Sequence, residues 1–216
     1  AELSRANLHG VALDTTVLRR ATLEEADLRE TALAGVDLRK ASLAESRLVA
    51  ADLAGANLQA TDLAGANADD ADLSEGRLGN ASLVEASLRG ATLTDAHLDS
   101  ATLSAVDARG VDLAGATLTG AALDDADLGE ADLTAADLVR ADLSGSFLRR
   151  ATLADATLDE TTVVGADLRE AVLRNVPLRR AALSEATLRE AIPDGADLTG
   201  PDLSDAALRG ASLDDL

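Results

Sequence analysis

A repeat of five residues runs through the chain without a slip, and it excludes most of what a polypeptide can fold into. Cut every five residues from Ala1, the sequence reads AELSR, ANLHG, VALDT, TVLRR, ATLEE, ADLRE and stays in phase through forty-three units to Leu216. The third position is Leu in 39 of the 43 units, the exceptions being Ala68, Ala108, Val163 and Pro193, and the first is Ala in 30. On an α-helix this period would smear the leucines around the axis, and on a flat strand it would alternate them between faces. Internal repeats of fixed period instead signal a solenoid, and the Ala and Leu positions are its core. The second position is Asp, Asn, Thr or Ser in 29 units, residues whose short polar side chains bond nearby backbone and favour turns. The fourth and fifth positions vary freely and collect charge and Gly, as solvent-facing positions would.

Composition narrows the interior. A globular core in a chain of this size would hold Phe, Trp, Tyr and Met to fill irregular gaps; here there is one Phe and none of the others. The interior must be narrow and regular. Zero Cys excludes disulfides and thiolate metal sites and fits a reducing compartment. No run approaches the roughly 18 apolar residues of a membrane helix, and no charged-then-apolar leader opens the chain, so the expectation is a soluble, cytoplasmic protein. Eighteen Arg against one Lys, with abundant Ala and Gly, suggests a GC-rich coding sequence and points toward a bacterium. The net charge of −20 argues against attraction to nucleic acid or anionic membrane and favours a basic partner surface.

The repeat resembles the pentapeptide-repeat family, whose consensus is A(D/N)LXX; ADL or ANL stands at Ala26–Leu28, Ala56–Leu58 and Ala126–Leu128 among others. The resemblance spans residues 1–216 as a single domain. It implies an all-β fold, a right-handed quadrilateral parallel β-helix with four pentapeptides per coil and Leu and Ala pointing inward. About eleven coils of twenty residues would then make a rod on the order of 50 Å long at ~4.8 Å per coil.

The sequence tests the coil size independently, because four units per coil stack residues twenty apart. Arg fills the fourth position in eleven units, and seven of them (Arg29, Arg89, Arg109, Arg149, Arg169, Arg189 and Arg209) share one column modulo twenty. Modulo fifteen, the three-sided alternative, the eleven split five, three and three. Leu58, Leu78 and Leu98 are accordingly expected in one inward column. Ala68 and Ala108, two coils apart, should leave the interior underfilled, while Pro177, Pro193 and Pro201 each remove a ladder donor, distorting the coil around Pro193. Both termini are in-phase repeats, so the expectation is an excised segment or ends that pair with another chain.

Numbering the four sides from residues 1–5, 6–10, 11–15 and 16–20 of each coil, the net charges are −11, −1, −10 and +2, with one basic residue on each of sides one and three. Two opposite sides are almost purely acidic. Their combined −21 over ~50 Å is about one charge per ~2.4 Å, the order of duplex DNA at one per ~1.7 Å. Such a rod suits a basic groove built for DNA. The chain is similar to those pentapeptide-repeat proteins that bind DNA gyrase and topoisomerase IV and protect them from inhibitors by imitating DNA. It departs from them in its Leu-rich rather than Phe-rich centre. The partner-facing residues expected on this reading are Glu24, Glu25, Glu45, Glu85, Asp124 and Asp125, with the stacked pairs Asp52 and Asp72, and Asp112 and Asp132. The alternative is a scaffold module with no topoisomerase target, its acids solubilising and its Arg columns paired with Glu30, Glu170 and Glu190 in exposed ion pairs worth little.

An enzyme is not expected: a nucleophile needs a base within hydrogen-bond reach, and His9 and His97 fall on different sides several coils apart. No cofactor or metal is expected either. The stacked acids read as solvated turn residues rather than a Ca²⁺ shell of six to eight oxygens, and the Gly-rich calcium repeat is absent. Three outward apolar residues are candidate contacts: Phe147 on side two, and Val172 and Ile192 in one column of side three. A homodimer or docking contact is expected through the last three coils.

Overall fold

In each five-residue unit the backbone donors are disposed of by rule, and the rule builds the architecture. The computed structural model describes residues 1–14, 16–178, 180–191, 195–196 and 201–207. The second residue's N–H donates to a carbonyl in the coil before (Thr22 to Ala1 O, 2.9 Å), and the third donates the other way, one coil on (Leu23 to Ser42 O, 2.7 Å). The fifth also reaches one coil on (Glu25 to Ala44 O, 3.0 Å), and the first closes a turn onto the preceding Leu (Ala26 to Leu23 O, 3.1 Å). Every resulting bridge, from Glu2–Thr22 to Thr187–Ala207, is parallel and joins residues twenty apart. The described residues contain no helix. One coil is therefore four pentapeptides with a turn after each, and Leu58, Leu78 and Leu98 stack fully buried.

The turn explains what the fifth position is for. Every residue with a left-handed φ, from Arg5 at 60° to Asp205 at 57°, is the fifth of its unit, as is every such glycine. The third residue's carbonyl accepts from the next unit's first N–H, so the fifth is the third residue of a four-residue turn, where type II geometry demands φ > 0. Gly adopts it without cost and other residues at roughly 1–2 kcal/mol. Glu85 and Lys40, at 57° and 58°, are held there by the ladder on either side.

Only the fourth residue's N–H remains, and where the second residue is Asp or Asn its side chain commonly takes it. Asp52 accepts from Ala54, Asp72 from Ser74, Asp112 from Ala114 and Asp132 from Thr134, at 2.9–3.1 Å. The preference for Asp and Asn at the second position is thus a backbone-satisfying device, and the oxygen matters, not the charge. Asp132→Ala is expected to cost about 1 kcal/mol of unfolding free energy, whereas Asp132→Asn stays close to the parent. Denaturant titration of both variants measures the difference.

Inward, the Leu and Ala columns are almost wholly excluded from water, Leu23, Leu93 and Leu138 at 0% exposure. Most buried hydroxyls at first positions are satisfied: Thr31, Thr61 and Thr161 donate to the carbonyls of Leu8, Leu38 and Leu138 in the preceding coil, whereas the Ser46 hydroxyl finds no partner. Ala68 does leave a gap, an apolar cavity of about 10 Å³ lined by Leu48, Leu63, Leu73, Leu83 and Leu88 among others. The ladder over it keeps ordinary length, Ala68 N–H to Ser87 O at 2.8 Å. The coil has not slipped its register to compensate. Ala68→Leu is expected to raise stability by about 1–2 kcal/mol, part of the 2–5 kcal/mol a buried Leu-to-Ala change removes; a thermal melt no higher than the parent's would show that the coil has contracted.

The proline expectation falls partly within the described residues. Thr152–Val172 and Thr162–Ala182 bridge, but no Thr157–Pro177 bridge stands between them among the described residues, as a residue without an N–H requires. Pro193 lies outside the described residues, as does Ile192.

Candidate interaction surface

Second, fourth and fifth residues of each unit face outward, so each side carries three columns of side chains, with successive members one coil apart. On side two most of the cations are neutralised, and on side four some are. Arg29 grips Asp27 at 2.6 Å and Arg39 grips Asp37 at 2.7 Å, each Arg two residues beyond its Asp. Arg19 reaches Asp37 and Arg89 reaches Asp107 one coil away. Asp107 shows the competition directly. Held by both Arg89 and Arg109, it is the one second-position Asp or Asn among the described residues that does not receive its own turn N–H.

The partners differ from the Glu residues expected from sequence. Glu170 does bind Arg149 and Arg150, at 2.6 and 2.7 Å, but Glu190 only approaches Arg189 at 4.0 Å and Glu30 lies 3.7 Å from His9. Six Arg instead pair with a second-position Asp, because an Asp already pinned beside the turn is a shorter and stiffer reach. Exposed pairs of this kind are worth at most ~1 kcal/mol.

These contacts hold carboxyls below their ordinary range. The hydrogen bonds from Arg29 lower Asp27 to about 2; those from Arg89, with Arg109 in support, lower Asp107, and those from Arg169 lower Asp167. Arg150 and Arg149 lower Glu170. A carboxyl depressed in the folded state adds stability that is fully present above its unfolded value, near 4, and is lost as pH falls through the folded value. Melting temperature is therefore expected to drop between about pH 4 and pH 2, and to drop less in an Arg89→Gln, Arg109→Gln double variant that no longer depresses Asp107. Melts at half-unit pH steps read this out.

Sides one and three are different. Glu45, Glu85, Asp124 and Asp125 have no cation within ion-pair distance among the described residues, and all but the half-buried Asp124 are exposed. Asp124 accepts a hydrogen bond from Ser104 at 2.6 Å, and the Asp125 carboxyl folds over Gly145 in the next coil. Glu24 is exposed and accepts from Ser42. Glu25 is neutralised by Arg5, 2.7 Å away one coil before, which lowers its pKa. Asp52 and Asp72 are directly bridged neighbours, as are Asp112 and Asp132, so the two pairs are brought together while doubling as turn acceptors. Carboxylates in register one coil apart with no cation between them repel, and a basic surface laid along them relieves that repulsion.

No group of three His, Cys, Asp or Glu that could hold a metal ion occurs among the described residues. His97 Nδ1 lies 3.2 Å from Thr117 Oγ1, and that hydroxyl donates to Asp99; the carboxylate orients the threonine rather than the imidazole, which is not the arrangement of a catalytic triad. Phe147 is outward and half exposed, bridged between Asp127 and Asp167, and Val172 is half-buried beside Thr152. The sequence reading passed over Val17, the most exposed large apolar side chain among the described residues at 77%; its second-position place on side four was the available signal.

The chain matches the family described as pentapeptide repeats, in segments that together run from residue 1 to 215. A search of curated protein sequences finds no match. Among solved structures it is similar to HetL, a pentapeptide repeat protein involved in heterocyst differentiation regulation from the cyanobacterium Nostoc sp. strain PCC 7120. That alignment has 31% identity and a TM-score of 0.53, covering 97% of this chain and 88% of that one. It is also similar in fold to trypsin-treated QnrB1, a plasmid-mediated fluoroquinolone resistance protein, at 19% identity and a TM-score of 0.57, covering 80% of this chain and 83% of that one. An unbroken five-residue phase, bridges at twenty residues and inward Leu and Ala columns agree with these matches: the chain belongs to the pentapeptide-repeat family.

Proposed function

We propose that the protein is a non-enzymatic DNA mimic that binds a type II topoisomerase, DNA gyrase first among them, and modulates its activity or drug sensitivity. The rod is read as one domain over residues 1–216, right-handed, of about eleven coils. Its place is the bacterial cytoplasm, where such a partner resides. The observation that carries the reading is the segregation of charge. Sides one and three hold −11 and −10 with one basic residue each, and Glu45, Glu85, Asp124 and Asp125 lack cations among the described residues, while sides two and four offset their acids with nine and eight basic residues and net only −1 and +2. A groove that neutralises duplex phosphates would meet unneutralised carboxylates at comparable linear density. The test is a gyrase supercoiling assay with and without the protein, in the presence and absence of a quinolone. A change in supercoiling or in drug sensitivity at micromolar protein supports the reading, and indifference of both removes it.

A scaffold role is the second reading, favoured by the Leu-filled core and by the 31% identity to HetL, a pentapeptide repeat protein involved in heterocyst differentiation regulation. On that reading the acids keep the rod soluble and its partner is another protein surface.

A further inference from the structure

The first two coils carry the feature that least fits an acidic rod. On side four, Arg19, Arg20, Arg39 and Lys40 line one groove of about 190 Å³. Arg19 and Arg39 occupy adjacent coils in the fourth-position column, Arg20 and Lys40 in the fifth. Asp37 is the one carboxylate within ion-pair distance of these four cations among the described residues, and it serves two of them. It accepts Nε and Nη2 of Arg19 at 3.1 and 2.8 Å, and Nε and Nη2 of Arg39 at 2.9 and 2.7 Å. Both guanidiniums are thereby fixed in place with their Nη1 donors unspent. The following coil offers only Asn57, Gln59 and Ala60 on this side, so nothing downstream offsets the remaining charge.

The larger cleft on side two is a control within the same molecule. Arg89, Arg109, Arg149 and Arg150 line it, but Asp107, Asp127, Glu130 and Glu170 all lie within 3.8 Å of one or more of them. Four cations meet four carboxylates there. On side four, four cations meet one.

We infer that the groove between Arg19, Arg20, Arg39 and Lys40 is a binding site for an oligophosphate anion. Two tiers of cations one coil apart suit a ligand with two or more linked phosphate groups better than a single small anion. Fixed guanidinium forks grip phosphate oxygens in a defined geometry, and a lysine adds a mobile point charge. A nucleic acid laid across the rod is disfavoured, because its flanking phosphates would meet acidic sides one and three.

The test is titration calorimetry of the protein with inorganic tripolyphosphate at ~20 mM salt, where screening is weak. A parallel arm measures co-sedimentation with phosphatidylcholine vesicles, with and without a polyphosphoinositide. The decisive variant is Arg20→Gly with Lys40→Gly. Both positions have left-handed φ, 56° and 58°, which glycine accepts more readily than the native residues, so the fold is retained. Tripolyphosphate binding that weakens about tenfold or more in this variant, but not in an Arg149→Gln, Arg150→Gly variant of the side-two cleft, supports the site with a soluble ligand. The same loss seen also on phosphoinositide vesicles supports it with a lipid headgroup as the source. No tripolyphosphate binding, or binding that survives the double glycine change, overturns it.

Discussion

Leu93→Asp is expected to break the rod. Leu93 is fully excluded from water, its N–H is bound to Asp112 O at 2.7 Å, and its column neighbours Leu73 and Leu113 are buried as well. The change removes a leucine's worth of contacts, about 2–5 kcal/mol, and places a carboxyl where only Leu and Ala can meet it, which costs several kcal/mol more unless it binds a proton. A solenoid is stabilised by each coil on its neighbours alone, so the damage cannot be shared. The expected result is a denaturant transition that splits in two or a far-ultraviolet circular dichroism signal that collapses, with a loss of at least about 4 kcal/mol in the coils around residue 93. A single cooperative transition within a few degrees of the parent would mean that this column does not face the interior.

How much of this was legible from sequence depends on which residues do the specifying. The coil size was legible twice over, in the five-residue phase and in the Arg column modulo twenty, because every unit repeats the same local instruction and no distant contact edits it. The interior was legible for the same reason: Leu78 meets Leu58 and Leu98 by arithmetic. The role of the second position as an acceptor was visible in kind, but its target, the fourth residue's N–H, was not. The left-handed fifth position was signalled only by glycines such as Gly55 and Gly110 and hidden by Glu85 and Arg150, since the ladder imposes the conformation whatever the residue. Ion pairs were the least legible. Asp107 and Asp112 occupy equivalent positions, yet one is captured by two arginines and the other by its own turn, a competition set by side chains one coil away. For the same reason Glu25, read as a partner-facing acid, belongs to Arg5.

That distinction sharpens the functional test. Asp52, Asp72, Asp112 and Asp132 satisfy turn backbone, so reversing them would confound binding with stability. Glu24, Glu25, Glu45, Glu85, Asp124 and Asp125 take no turn N–H. Four of them, Glu25, Glu45, Glu85 and Asp125, sit at fifth positions with φ of 56–57°, a conformation Lys40 already adopts in this chain. Their replacement by Lys changes the charge of side one by twelve, from −11 to +1, with the coil left intact.

The most direct measurement is therefore the affinity of purified DNA gyrase for the parent and for this six-lysine variant, across a range of salt and with circular dichroism confirming equal fold. Exposed charges are screened beyond a Debye length of ~10 Å at 0.1 M salt, so parent binding should weaken steadily as salt rises. The six-lysine variant should show no binding, while Arg89→Ala and Arg109→Ala on side two should leave it nearly unchanged. Binding of parent and six-lysine variant with equal affinity, or no binding of the folded parent at low salt, would contradict the account.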